Sequence, residues 1–182
     1  MRRHLFSLGL IAVVLAGLTT SLPGQSPGTD TRSGVERLPA PRSNGTVPIY
    51  RLVNASTGDH VFALSANEVA MLQHQGTHRY EGVGFQVFAA AQPGTRPLYR
   101  FVLPDGRHLL DTRSATPDPS ARLEFTLGHV ANAAGSGLVP LHAWIHPQNG
   151  LFFFTTDARG ELAPALGYRY EGVLGNVIPA NT

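Results

Sequence analysis

The pentapeptide RYEGV occupies Arg79–Val83 and occurs again at Arg169–Val173. A segment that recurs at a distance indicates an internal repeat, and repeats determine an architecture before any single side chain does. A third, diverged copy, RLEFT, begins at Arg122, and all three segments retain the pattern Arg-x-Glu. The sequence therefore predicts three related units.

Each predicted unit begins at a proline before a short apolar strand, passes through a turn and a second strand, and closes with the Arg-x-Glu segment. The opening segments are PIYR at 48–51, PLYR at 97–100 and the looser PLHA at 140–143. Tyr, Val, Phe and Ile concentrate in these strands between Gly, Pro, Asn and Asp, which is typical of β-structure. The three units span about residues 48–91, 97–134 and 140–180.

Short helices are expected after the second strand in two of the units. Ser65 and Glu68 have capping-box spacing, apolar residues follow, and Gly76 is placed to end the helix. In unit three, the segment 156–167 has Glu, two leucines and a closing glycine, and it predicts a second short helix. The corresponding part of unit two contains two prolines and predicts a loop.

One such unit cannot bury both of its faces, but three units arranged around an axis can, and closure leaves no long strand edge exposed. The fold class that we predict is mainly β with short helices. We expect residues 46–182 to form a pseudo-threefold closed repeat domain, either β-trefoil-like or three-part propeller-like.

The N-terminal residues predict export. Residues 1–24 combine Arg2 and Arg3 with an uncharged apolar run, as a signal peptide does, and the run is too short for a comfortable membrane span. Residues 25–45 are rich in Pro, Gly and Ser and predict a flexible linker. We therefore expect a secreted or periplasmic, cell-envelope protein with no stable membrane span after signal removal.

Charge and cysteine content limit the classes of partner and the sources of stability that we expect. All 14 basic residues are arginines, and without Arg2 and Arg3 they balance the 12 acidic residues, so the basic pI does not indicate nucleic-acid binding. The chain has no cysteine, so its stability must come from apolar burial and hydrogen bonding rather than from disulfides. We expect a monomer without a cofactor.

The signature Y-R-x-x-N-x-x-T-G-D-H, followed by a short helix and Y-E-G-V, resembles a family of secreted bacterial repeats of unknown function, with units of about forty residues that usually occur in threes. Units two and three depart from the signature at Leu103, Arg107 and Phe152. Such domains often accompany peptidoglycan or polysaccharide hydrolases, so the resemblance implies attachment to a surface or glycan and supplies no catalytic mechanism. The matching residues of unit one are Tyr50, Arg51, Asn54, Thr57, Gly58, Asp59, His60, Tyr80, Glu81 and Gly82.

Candidate catalytic groups are few. Asp59 and His60 could orient each other for general-base work, although Asp59 also suits a turn-closing role and His60 a packed one. Two carboxylates facing one cleft, for example Glu81 or Glu171 with Asp59, would favour a hydrolase. The Arg-x-Glu pairs are interpreted first as scaffold and otherwise as a repeated carboxylate pocket. The histidines have no metal-site spacing along the chain, so we expect no metal; the alternative is a convergent site built from two units, such as His60 with His108.

Aromatic rings with a polar handle suit stacking on sugars, and Trp144 could instead anchor the core of unit three. Phe153 points away from its neighbours in a strand, so one face of Phe152–Phe154 should be exposed.

We expect a non-catalytic binding module for an extracellular or cell-wall glycan or a surface protein. The alternatives are a small secreted hydrolase acting on polysaccharide or peptidoglycan and a structural protein–protein interaction domain. The candidate ligand-binding residues are Tyr50, Arg51, Asp59, His60, Tyr99, Arg100, His108 and Trp144.

Overall fold

The structure, a computed structural model, describes residues 45–115 and 118–180. The signal peptide expected at 1–24 and the linker expected at 25–45 lie outside the described residues, apart from Gly45. The described chain is mainly β, as predicted. In chain order its elements are β1 (Thr46–Asn54), β2 (His60–Ala63), α1 (Ala66–His74), β3 (His78–Phe88), β4 (Thr95–Val102), β5 (His108–Asp111), β6 (Arg122–Ala131), β7 (Val139–Ile145), β8 (Phe152–Thr155) and β9 (Arg169–Pro179).

The nine strands fall into three groups with the same internal pairing. In group one, β1 lies between β2 and β3, and both pairings are antiparallel. In groups two and three, β4 lies between β5 and β6, and β7 lies between β8 and β9. The first turn, between β1 and β2, contains Gly58 at a φ of 77°, a conformation that glycine adopts without steric cost.

The longest strand of each group connects the groups to one another. Phe88 of β3 pairs with His129 of β6, Ala131 of β6 pairs with Asn176 of β9, and Phe85 of β3 pairs with Pro179 of β9. These contacts join the nine strands into one antiparallel sheet. The main core forms where the groups meet, because each group contributes buried side chains to it, including Ile49, Phe62, Phe85, Leu98, Leu127, Val130, Leu141, Phe154 and Val177.

The single helix among the described residues begins and ends where the sequence predicts. Ser65 is its N-cap and accepts a hydrogen bond from the Glu68 backbone N–H at 3.1 Å, while a Glu68 carboxylate oxygen accepts from the Leu64 N–H. Gly76 follows the last turn with a φ of 73°. Across the described ranges, no helix is both long and apolar enough to cross a membrane.

The prediction of a second short helix is wrong. Segment 157–167 consists of turns, because Gly160 adopts a φ of 77° and Glu161 one of 53°, and both conformations interrupt a right-handed helix. Gly160 is required there, since a Cβ atom would lie 2.6 Å from the Trp144 ring.

The expectation of an exposed aromatic face at Phe152–Phe154 is also wrong. Phe154 packs in the main core and is 3% exposed. Phe153, on the opposite face of β8, is only 6% exposed. It is covered by Ala163, which lies in the 157–167 turns, and by Tyr168, which directly follows them. Phe152 is half-buried between the main core and the apolar cluster of group two.

Candidate functional site

A cavity with a volume of about 860 Å³ lies between strand groups one and two. We call it the tyrosine cleft, because Tyr50 of β1 and Tyr99 of β4 both line it. The two tyrosines correspond in register, since each follows the first β-bulge of its strand pair, between Ile49 and Tyr50 in one and between Leu98 and Tyr99 in the other. The structure thus brings two of the predicted ligand-binding residues to one concave surface.

The two tyrosines differ in accessibility. Tyr50 is 2% exposed and lies with Tyr80 in the small apolar cluster beneath α1, and burial raises the pKa of its phenol. Tyr99 is half-buried, and its ring meets that of Phe101 edge-on at a centroid distance of 6.2 Å. Tyr99 is therefore the better placed of the two to meet a ligand.

The tyrosine cleft also has polar groups that the sequence analysis missed. Ser65, Thr126 and His129 all lie on its wall. Nδ1 of His129 is buried and has no hydrogen-bond partner in the part of the chain that the structure describes. Apolar walls from Val47, Pro48 and Pro97 complete the surface. No local motif marks the polar residues as binding residues, because Ser65 is recognisable only as a helix cap, and Thr126 and His129 lie within β6.

A second cavity, of about 320 Å³, contains an ionic cluster centred on Arg51. Arg51 Nε lies 3.1 Å from Glu81 Oε2, and its two terminal nitrogens donate to the Glu161 carboxylate at 2.7 and 3.0 Å. The Arg51 side chain is 16% exposed, and its guanidinium carbon lies 5.2 Å from the Phe153 ring centroid. One arginine thus ties group one to group three.

His60 belongs to this cluster rather than to an Asp59–His60 pair. Its Nε2 lies 3.5 Å from Glu81 Oε2, and its ring packs against Phe153 at a centroid distance of 4.8 Å. Asp59 is 4% exposed and instead receives the His108 side chain, with 2.8 Å between Asp59 Oδ2 and His108 Nδ1, and the His108 backbone N–H. The two candidate residues, though adjacent in sequence, serve different clusters.

The Arg51 cluster holds its carboxylates in the ionised form. The hydrogen bond from His60 lowers the pKa of Glu81, and the charges of Arg51 and Arg79 add to this effect against the opposing effect of burial. Burial raises the pKa of Glu161, but hydrogen bonds from Arg51 and Thr155 outweigh it, so the net shift is downward. A general acid needs a raised pKa, and this pair therefore suits ion pairing rather than proton donation.

Arg100 forms the corresponding cluster between groups two and one. It is 4% exposed, lies 2.7 Å from Glu68 and 2.8 Å from Glu124, and donates to the Phe62 carbonyl oxygen at 3.0 Å. Its guanidinium carbon also sits 4.2 Å from the Phe125 ring centroid. These contacts use Arg100 as a connector between groups.

The remaining predicted residues form none of the ionic contacts of these clusters. Trp144 is 9% exposed and packs with Phe153, Ala163 and Tyr168, so it anchors the group-three core. Glu171 has a 42% exposed side chain and an ion pair with Arg169 at 2.8 Å. Of the predicted Arg-x-Glu pairs, those at Arg79 and Arg169 form, whereas Glu124 binds Arg100 instead of Arg122. Within the described ranges, no three His, Asp or Glu side chains are placed to share a metal ion.

Comparison with known proteins gives one family match. Residues 32–118 match a family described as "Domain of unknown function (DUF5648)". The matched range includes β1 to β5 and ends before β6, so it covers somewhat less than half of the chain. No curated protein and no solved structure gives a significant match. The match is consistent with the resemblance of unit one to an uncharacterised domain.

Proposed function

We propose that the protein is an exported, non-catalytic module that binds an extracellular or cell-wall glycan in the tyrosine cleft. The tyrosine cleft carries this proposal, because a cavity of about 860 Å³ places Tyr99 beside the hydroxyl groups of Ser65 and Thr126 and the imidazole of His129. A sugar ring has an apolar C–H face and a polar rim, and an aromatic ring with nearby hydrogen-bonding groups complements both.

The proposal includes the architecture that the repeated segments predict. Three related units arranged around a pseudo-threefold axis would close as a β-trefoil-like or propeller-like domain. The mutual pairing of β3, β6 and β9 supports this arrangement, because each of these strands contacts both of the others. The signal-peptide pattern of residues 1–24 supports export to the cell envelope or medium, and a monomer is sufficient because the cleft lies within one chain.

The test is retention of the purified protein on insoluble peptidoglycan, chitin and cellulose, followed by an assay for released sugar or peptide. We expect retention on at least one glycan without released product. Released product would replace the proposal with the hydrolase alternative, and the Arg51 cavity, where Glu81 and Glu161 lie together, would then be the first site to mutate. No retention on any of the three would contradict the glycan proposal and favour a protein partner.

Substitution of the cleft tyrosine tests where the glycan binds. Tyr99→Ala should weaken binding about tenfold or more, which corresponds to about 1.4 kcal/mol, because stacking area is lost. Tyr170→Ala is the matched control, since Tyr170 is 46% exposed, belongs to group three and does not line the cleft. Equal affinities of the two variants would place the binding surface elsewhere. Binding isotherms on the retained glycan, together with thermal unfolding of each variant, provide the measurement.

A further inference from the structure

Two of the three junctions between strand groups contain a guanidinium held by two carboxylates. Arg51 lies between Glu81 of its own group and Glu161 of group three. Arg100 lies between Glu124 of its own group and Glu68 of group one. In both junctions the arginine is well buried, at 16% and 5% side-chain exposure, so the pairing is part of the packed interior.

The third junction has alanine where the other two have arginine. Strand register establishes the correspondence: Arg51 lies opposite Phe62 and Gly82, Arg100 opposite Leu110 and Phe125, and Ala143 opposite Phe154 and Gly172. In each group a β-bulge follows this position, between Arg51 and Leu52, between Arg100 and Phe101, and between Ala143 and Trp144.

The bulge sets a glutamate beside each of these three positions. In the closing strand of each group, one glutamate at the bulge has no residue paired opposite it. These glutamates are Glu81 in group one, Glu124 in group two and Glu171 in group three. Glu81 and Glu124 bind the arginine of their own group. Glu171 has no such arginine and pairs instead with Arg169, whose side chain is 70% exposed. An ion pair this exposed contributes little and exchanges readily.

A cavity of about 230 Å³ lies where the third arginine side chain would be. We call it the Ala143 cavity; the lining residues that matter here are Asp111, Asp118, Ala143, Phe152, Phe154 and Glu171. The volume is several times the roughly 30 Å³ share of one water molecule, so it admits a small organic group. The Asp111 side chain is only 9% exposed, whereas that of its ion-pair partner Arg113 is 64% exposed.

We propose that the Ala143 cavity binds a guanidinium group supplied from outside the chain, as the arginine side chain of a peptide or protein partner. Three carboxylates line it, and Asp111 is paired with Arg113. Glu171 is paired with Arg169, so the lining and its ion-pair partners together carry one negative charge in excess, which favours a cation. Planar, bidentate pairing with carboxylates and stacking on aromatic rings are properties of guanidinium. The half-buried Phe152 offers a ring at this cavity, and the ring of Phe154 lies near-parallel to it, 9° apart, but is only 3% exposed. The site is separate from the tyrosine cleft and does not depend on glycan binding.

The test is an NMR titration of the isotopically labelled protein with methylguanidinium at constant ionic strength. We expect saturable shifts of the Asp111, Ala143 and Glu171 amides, with weaker binding of butylammonium, which cannot pair bidentately. Ala143→Arg should abolish these shifts, because it supplies the missing guanidinium from within. Ala133→Arg, which adds the same charge at an exposed position outside the cavity, should leave them unchanged.

Two further arms make the test decisive. Glu171→Gln, a surface substitution, should weaken methylguanidinium binding about tenfold even if Ala143→Arg does not fold. A blocked peptide with one arginine should bind at least as well as methylguanidinium, whereas free L-arginine carries a carboxylate that the acidic lining repels. Shifts that do not saturate, equal binding by the Ala143→Arg and Ala133→Arg variants, or binding of free arginine but not of the peptide would overturn the proposal.

Discussion

Arg51 shows how much one side chain determines in this protein. It is the shared partner of Glu81 and Glu161, which are 80 residues apart in sequence. Without it, two carboxylates that are 16% and 37% exposed would face each other across the same cavity. The backbone of Glu161 adopts a φ of 53°, which costs energy in a residue other than glycine, and the bidentate bond to Arg51 offsets part of that cost.

We therefore expect Arg51→Ala to lower the free energy of unfolding by about 2 kcal/mol, because the bidentate bond to Glu161 and the ion pair with Glu81 are both lost. Arg159→Ala is the control, since Arg159 is 93% exposed and its contact with Asp157 is 3.8 Å long, and it should have no measurable effect. Urea unfolding at neutral pH measures both variants. An unchanged unfolding midpoint in Arg51→Ala would contradict the connecting role of the cluster.

The same cluster predicts a pH dependence. The folded-state pKa values of Glu81 and Glu161 lie below the ordinary value, so their stabilising contribution is fully present above that value and is lost as the pH falls through the folded pKa. The wild type should therefore lose more stability than Arg51→Ala between about pH 5 and pH 3. Parallel unfolding curves across this range give the measurement, and equal slopes of stability against pH would refute the cause assigned here.

At the scale of elements, local chemistry predicts the start of α1 but not the conformation of segment 157–167. Ser65 and Glu68 are close in sequence, and their hydrogen bonds require only that the intervening residues be helical. Glu161, by contrast, binds Arg51 from 110 residues away, and the close contact of Gly160 with Trp144 determines the backbone before it. A local pattern cannot anticipate a conformation that distant partners stabilise.

The junction between β3 and β6 depends on a glycine. A Cβ atom at Gly128, whose φ is 149°, would collide with Val87 and lie 2.8 Å from the Phe88 carbonyl oxygen. We expect Gly128→Ala to destabilise the protein by about 2–3 kcal/mol through strain and overpacking. Gly84→Ala is the matched control on β3, because its added methyl group would meet atoms no closer than 3.5 Å. Thermal unfolding compares the two variants, and equal unfolding midpoints would show that the contact between β3 and β6 accommodates a Cβ atom at position 128.

At the scale of the whole molecule, the three strand groups complete one another. Leu127 and Val130 of β6 and Val177 of β9 are at most 1% exposed, and all three belong to the main core with residues of β1 and β3. Asp59 of group one binds His108 of group two, and Arg107 of group two donates to the Gly150 carbonyl oxygen of group three at 2.6 Å. Each group therefore needs its neighbours to bury its apolar and polar side chains.

A fragment limited to the matched range should consequently fail to fold. Residues 32–118 lack β6, which pairs with β4 along its whole length, and lack β7 to β9. We expect this fragment to show poorly dispersed amide proton resonances and to be cleaved rapidly by proteases. The complete chain should show well-dispersed resonances and resist cleavage. A dispersed spectrum from the fragment would mean that the first two groups form an independent domain.

The sequence by itself determined the mainly β character, the turn at Gly58, the cap at Ser65 and the recurrence of Arg-x-Glu, because each of these rests on residues close together in the chain. Tertiary structure alone decided that Glu81 binds Arg51, that Asp59 binds His108 and that Tyr99 lines a cleft while Trp144 is buried. The reason is physical: side chains near in sequence share a local backbone geometry, whereas Arg51 and Glu81 meet only when β1 pairs with β3. Partners 49 and 110 residues apart meet only when the strand groups pack against one another.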